Sequence, residues 1–460
     1  MIKFGTDGWR AIVGKDFNDE NVRKVTLAIG KYVFENYGMD KDIIIGYDPR
    51  YKADYYAKYS AELLSQLGFN VNLSSKIVPT PILAYNAQFR NACAIMYTAS
   101  HNPPDYLGIK FIPDYAGPAT SDITNEIVSN IDKDFNTQRD SITYNLVDFR
   151  ESYYKHIKNI VDFEKIKKLS TNIVFDGLYS ASIGYFDDLL AMNNIQYQSL
   201  HLKHDTNFGG LMPDPKPKYL KELITAVKNN ENAIGLANDG DADRFGVIDE
   251  SGNYVAPDMI IAILLRYLLK KGYTGSIVKT VGSSILIDRV AEELGINTIE
   301  TAVGFKYIGE AMRGNDVIIG GEESGGLSIK GHIPEKDGII ANLLLLEAIA
   351  DSGKKLTEIQ EDVYNLIGTK FYTDRIDVKT DDREKIDNYM NYFKEFDMIS
   401  DYQVSKRTFI DGVKLNLGSK SKILVRPSGT EPLLRIYFES DSLESLEKLD
   451  AAIRKLIKEI

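Results

Sequence analysis

The chain has 460 residues, a formal net charge of −11, 43% hydrophobic and 26% charged residues; this is ordinary for a soluble globular protein and too long for one core, so three to four domains are expected. Nothing resembles a basic patch or stripe, which argues against a nucleic-acid partner, and any anionic ligand must be held by a few placed Arg and Lys against a repelling overall field. With one cysteine, Cys93, no intramolecular disulfide can form, and no CxxC spacing offers a structural zinc site.

The N-terminal MIKFGTDGWRAIVG lacks the apolar segment of a secretory signal, and a reducing cytoplasm is the expected location. DIIIGYDPR (42–50) reads as a strand and turn, followed by a helix ending AELLSQLG and a second strand, FNVNL. The same order returns at NIVFDGLYS (172–180) with GYFDDLLAMNN and IQYQSL, and at SIVKTVGSS (276–284) with IDRVAEELG and INTIET. Three such units predict three related α/β domains; the rival reading is chance likeness among common βαβ units.

The longest apolar stretches, MIIAILLRYLL (259–269) and IIANLLLLEAIA (339–350), fall short of the roughly 20 residues that span a bilayer. They read as core helices, and no membrane partner is expected. Over the last ninety or so residues the pattern changes to short antiparallel strands, with a charged helix after RIDVKT and an amphipathic helix from Ser442. The expected class is α/β: three related α/β domains with mixed sheets and a smaller C-terminal α+β domain around a central cleft. The expected boundaries are 1–145, 146–255, 256–370 and 371–460.

Four loops carry chemistry. TASHNPP (98–104) follows the apolar run NACAIMY, so Ser100 emerges at a strand end. No GxSxG elbow is present, and the adjacent His101 is poorly placed for a triad. A phosphorylated serine and a plain polar turn remain as readings. In AIGLANDGDADRFGVID (233–249), Asp239, Asp241 and Asp243 sit in a turn between apolar strands and suit a hard divalent cation, Mg²⁺. A calcium EF-hand fails at its sixth position, where Arg244 replaces the required Gly, although Glu250 falls at the twelfth. A solvated acidic hairpin is the competing reading.

VIIGGEESGGLSIKGHIPEKDG (317–338) offers Glu322, Glu323, Ser324, His332 and Lys336, donors and acceptors suited to sugar hydroxyls; a glycine-rich surface loop is the alternative. KILVRPSGTEP (422–432) offers the planar fork of Arg426 with Ser428, Gly429 and Thr430 for a phosphate, or an ordinary turn. HLKH (201–204) has the spacing of a two-histidine metal site, but no third ligand lies near it in the sequence.

The set TASHNP, DGDADR, GEESG and RPSGTEP, in that order and with the opening FGTDGWR, resembles the α-D-phosphohexomutase family over the whole chain. The resemblance implies four domains around a cleft, and a phosphoryl group moved between the 1- and 6-positions of a hexose phosphate through a phosphoserine and a bisphosphorylated sugar. By motif, Ser100 is then the phosphoserine, and Asp239, Asp241 and Asp243 hold Mg²⁺ together with an oxygen at Ser100. Arg10 and Lys110 stand near the phosphoserine, with Lys110 and His101 as proton carriers and Lys110 acting as a base of lowered pKa. Arg244 and Lys306 meet a substrate phosphate, Glu322 and Ser324 the sugar hydroxyls, and Arg426, Ser428, Gly429 and Thr430 the non-reacting phosphate.

One departure matters: many members read GExSGH, whereas Gly326 stands here in place of the histidine. His332 and Lys336 are therefore expected to supply the missing polar contacts. Ala11, where Gly is usual, is a smaller departure. The expected activity is a phosphoglucomutase, with mannose phosphate as a further substrate and glucose 1,6-bisphosphate as activator and intermediate. The alternatives are phosphoglucosamine mutase or phosphopentomutase, a non-catalytic phosphosugar-binding protein, and a plain phosphatase. A monomer or small homo-oligomer is expected.

Overall fold

The computed structural model describes residues 2–5, 7–135, 142–380, 382–399, 401–427 and 433–459. Each recurring unit folds as strand, helix, strand. The first is Ile43–Tyr47, Ala53–Leu67 and Val71–Ser74, and the second is Asn172–Asp176, Phe186–Met192 and Gln198–Leu200. The third is Ser276–Thr280, Ile285–Glu293 and Thr298–Thr301. In each unit the two strands are parallel neighbours, as a crossover helix requires.

Every unit gains an antiparallel hairpin in the same sheet. In the first sheet the hairpin is Cys93–Tyr97 with Tyr106–Ile112, in the second Ala233–Asn238 with Phe245–Ile248, and in the third Val317–Glu322 with Gly326–Ile329. The turns of these hairpins are TASHNPP, DGDADR and the Glu323–Ser324–Gly325 corner. One strand, Asn145–Val147, completes the first sheet by pairing with Val71–Ser74, so this sheet crosses the boundary expected at 145.

Helices Pro257–Lys270 and Gly338–Ser352 absorb the two long apolar stretches, and the second is buried over nearly its whole circumference. One continuous core, reaching from Ile44 to Ile367, ties the three sheets together. Among the described residues no helix is long and apolar enough to cross a membrane.

The C-terminal region differs. Its five-stranded antiparallel sheet packs on Arg383–Glu395 and Leu443–Glu459 around a separate core that includes Phe393, Leu434 and Ile453. Polar contacts join it to the third sheet. Glu439 accepts from the Ser284 hydroxyl and, at 2.9 Å, from the Ile285 N–H, capping helix Ile285–Glu293 from another part of the chain. Lys422 donates to the Ser283 carbonyl, Lys414 pairs with Glu300, and the Val303 N–H reaches Asp411 at 3.2 Å.

Candidate active site

The three hairpin turns meet at the floor of a cleft of about 680 Å³. Ser100 leaves its strand with φ +50° and is buried, 1% exposed. Its Oγ donates to Asp239 Oδ2 at 2.7 Å, and His101 Nδ1 lies 3.3 Å from Ser100 Oγ. Gly240 makes this approach possible: a Cβ there would fall 2.4 Å from the Ser100 carbonyl oxygen.

Asp239, Asp241 and Asp243 are fully buried, and one carboxylate oxygen from each lies within 4.8 Å of the others. Burial, followed by the charges of Asp243 and Asp241, pushes the Asp239 carboxyl well above the usual range. Asp241 Oδ1 and Asp243 Oδ1 are buried without a hydrogen-bond partner. Buried oxygens left unpartnered beside a third carboxylate are the donor set a hard divalent cation needs, so these residues fit Mg²⁺. Among the described residues this is the single cluster of its kind. His201, from the HLKH pair, instead lies between Asp176 and Glu222.

Cations ring the cluster. Lys110 Nζ contacts Asp241, Asp243 and Asp7 at 3.0, 2.9 and 2.8 Å. Lys336 Nζ reaches Asp243 at 3.2 Å. Arg10 donates to Asn102 Oδ1 at 2.7 Å and to Asp7 Oδ2 at 3.1 Å. Arg244, whose backbone N–H donates to Asp239 Oδ1, faces the cleft with Lys306 and Arg426. Lys306 donates to the Ser121 hydroxyl at 2.9 Å, and Arg426 pairs with Asp411 at 2.7 Å. In a protein of net charge −11, so many cations facing one cleft mark a place for an anion.

The charge of Arg244, with burial next, depresses the His101 pKa, so the imidazole is neutral. Burial opposes protonation of Lys110, yet Asp241, Asp243, Asp7 and Glu335 together hold its pKa well above the ordinary value. In this arrangement Lys110 is the counter-ion of these carboxylates.

On the third hairpin, Ser324 Oγ donates to Glu322 Oε1 at 2.5 Å, and both residues line the cleft. The space next to Gly326 is filled. A Cβ at this position would fall 2.3 Å from Lys336 Cδ, so Lys336 runs where a longer side chain at 326 would start.

One expectation needs correction. The His332 side chain is completely buried, with Nδ1 3.0 Å from His156 Nε2 and Nε2 2.9 Å from Asp337 Oδ2. Asp337 also accepts from Tyr153 at 2.6 Å and caps helix Gly338–Ser352. The turn carries Lys336 into the cleft and turns His332 away, because the two side chains leave opposite sides of it. Ser428, Gly429 and Thr430 lie outside the described residues.

Three neighbours escaped sequence reasoning. Asp7, from FGTDGWR, bridges Arg10 and Lys110. Thr80 donates to Asp241 Oδ2 at 2.6 Å from 161 residues away. Glu335, whose carboxyl burial pushes up to about 7, stands beside Lys336. The EKD sequence and the TDG stretch were visible signals for two of them; Thr80 had none.

Comparison with known proteins agrees with this geometry. Residues 1–138, 151–252 and 256–367 match phosphoglucomutase/phosphomannomutase alpha/beta/alpha domains I, II and III, and residues 376–456 match the C-terminal domain. A phosphoglucosamine mutase of Clostridium botulinum (strain Loch Maree / Type A3) is 30% identical over 99% of this chain and 98% of its own length. A Thermus thermophilus crystal structure described as a phosphomannomutase superposes with a TM-score of 0.87 at 31% identity, covering 99% of both chains. An Aspergillus fumigatus N-acetylphosphoglucosamine mutase, solved with GlcNAc-6P and magnesium, shares the fold at 12% identity and a TM-score of 0.63, over 100% of this chain and 95% of that one. The chain belongs to the α-D-phosphohexomutase family, whose members are isomerases that act as intramolecular phosphotransferases.

Proposed function

We propose that this phosphohexomutase moves a phosphoryl group between the 1- and 6-hydroxyls of a hexose phosphate, with Ser100 carrying the phosphate between turnovers. The observation that carries this reading is the placement of Ser100 Oγ, 2.7 Å from Asp239 and buried beneath a cation-ringed cleft.

In this reading, Arg10 and His101 flank the phosphoryl group on Ser100. The neutral His101 imidazole, 3.3 Å from Ser100 Oγ, accepts or returns the proton of the attacking hydroxyl. Lys110 neutralises the carboxylates behind the transferred group. Glu322 and Ser324 orient the sugar hydroxyls. Arg244, Lys306 and Lys336 grip phosphate in the cleft, while Arg426, together with Ser428, Gly429 and Thr430 by motif, holds the phosphate that is not reacting. Asp239, Asp241 and Asp243 would hold Mg²⁺, which supplies charge neutralisation for phosphoryl transfer.

For the sugar, the full-length resemblance to phosphoglucosamine mutases supports glucosamine phosphate, the alternative to the glucose phosphate expected from the sequence. A second reading rests on Gly326: Lys336 fills the position of the family histidine, and this favours glucose phosphate. Specificity constants on glucosamine, glucose and mannose 1-phosphates, with Mg²⁺ and a trace of the matching 1,6-bisphosphate, decide between them. Failure to isomerise any of the three, or net phosphate release without isomer, overturns the proposal.

A further inference from the structure

Arg50 ends GYDPR, a stretch that the sequence marks only as part of a recurring fold unit, and its side chain is fully buried. All five of its guanidinium hydrogens are used. Nε donates to Asp48 Oδ2 at 3.2 Å. Nη1 donates to the carbonyls of Pro103 and Tyr106 at 2.7 and 3.0 Å. Nη2 donates to the carbonyls of Ser100 and Asn102 at 2.6 and 2.7 Å. Three of the five acceptors therefore belong to the loop that presents Ser100, and a fourth is the first residue of the strand that follows it. Only a planar fork with five donors can satisfy this set.

The contacts close into a ring around one residue. The Ser100 N–H donates to Thr98 Oγ1 at 2.8 Å, and the Thr98 hydroxyl donates to Asp48 Oδ2 at 2.6 Å. Asp48 accepts from Arg50, and Arg50 returns to the Ser100 carbonyl. Both peptide groups of Ser100 are thus fixed while its φ sits at +50°, a conformation that costs a non-glycine residue free energy unless its surroundings impose it. The Phe208 ring, from the second α/β unit, lies over the guanidinium with its centroid 5.0 Å away.

We propose that Arg50, acting through Asp48 and Thr98, is a positioning residue for the phosphoryl carrier: it holds Ser100 in the left-handed conformation that aims Oγ at Asp239. Arg50 does not line the cleft, and its effect reaches Ser100 through its bonds to the carbonyls of residues 100–106 and through the Asp48 and Thr98 side chains. The inference rests on the role proposed for Ser100.

The test uses the full chain with Arg50→Lys and Thr98→Val. Lysine keeps the charge but cannot supply five donors, and valine keeps the shape of Thr98 but removes the acceptor for the Ser100 N–H. Expected results are a kcat about 100-fold lower for Arg50→Lys and about tenfold lower for Thr98→Val. KM for the hexose phosphate stays at its wild-type value in both, and crystal structures show Ser100 φ leaving the positive region. A wild-type kcat in Thr98→Val, a loss confined to KM, or Ser100 unmoved in the variants overturns the proposal. Should wild-type protein isomerise no hexose phosphate, the proposed function fails on its own, and the Ser100 backbone in the variants still decides the role of Arg50.

Discussion

Lys110 Nζ lies 2.9 Å from Asp243 Oδ2, joining a central strand of the first sheet to the turn of the second. This contact places a cation behind three carboxylates that share one buried site. Removing one partner of such a buried set costs about 3–5 kcal/mol, because the remaining charges lose their compensation. Lys110→Met is expected to lower the unfolding midpoint in EDTA, and added Mg²⁺ is expected to recover part of the loss. Turnover falls by about 100- to 1,000-fold even with Mg²⁺ present. Thermal unfolding with and without Mg²⁺, alongside a coupled assay, checks both parts; an unchanged midpoint in EDTA would contradict the first.

Gly326 and Lys336 compete for one volume. In Gly326→His the new side chain collides with the Lys336 methylenes, so kcat/KM is expected to drop about 10- to 100-fold. The double variant Gly326→His/Lys336→Ala clears the clash and is expected to recover part of that loss while changing the ranking of glucosamine and glucose phosphates. Equal effects of the single and double variants would show that the two positions do not interact.

His332 serves the scaffold. Its replacement by Leu leaves Asp337 with one donor fewer in a buried site, at a cost of about 1–3 kcal/mol. Denaturant titration is expected to show that loss, and KM for hexose phosphate is expected to stay at the wild-type value. A raised KM with unchanged stability would return His332 to the sugar.

Stability should also depend on Asp258, at the start of helix Pro257–Lys270. Burial, with the nearby charge of Glu323, pushes its carboxyl up from 3.8 to about 7 despite Lys422. The native state therefore keeps a proton that the unfolded chain releases near 3.8, and stability declines as pH rises from there to about 7. Asp258→Asn is expected to be more stable than wild type at pH 8, with the gap closing as pH falls to about 4. Unfolding midpoints across that range measure it, and a gap independent of pH would refute the assignment.

Much of this was legible in the sequence. Short apolar runs, each followed by a small-residue turn, a helix and a second strand, revealed the three repeating units, and four loops at strand ends pointed to the cleft. What stayed hidden depends on which strands become neighbours. Thr80, at the start of helix Thr80–Phe89, meets Asp241 only because that helix end and the hairpin turn of the second sheet come together. Arg50 sits in a visible motif, but four of its five acceptors are backbone carbonyls, which leave no trace in residue identity. His332 failed for a related reason: three residues separate it from Lys336, and spacing in a turn does not say which way a side chain faces.

The seam between Glu439 and helix Ile285–Glu293 has one further consequence. The C-terminal core is separate from the core beneath the three sheets, and the contacts that join the two parts are charged or polar. When such a seam parts, water takes over the hydrogen bonds and little greasy surface is uncovered. This seam is therefore held by charge and hydrogen bonds, and its contacts should weaken with salt.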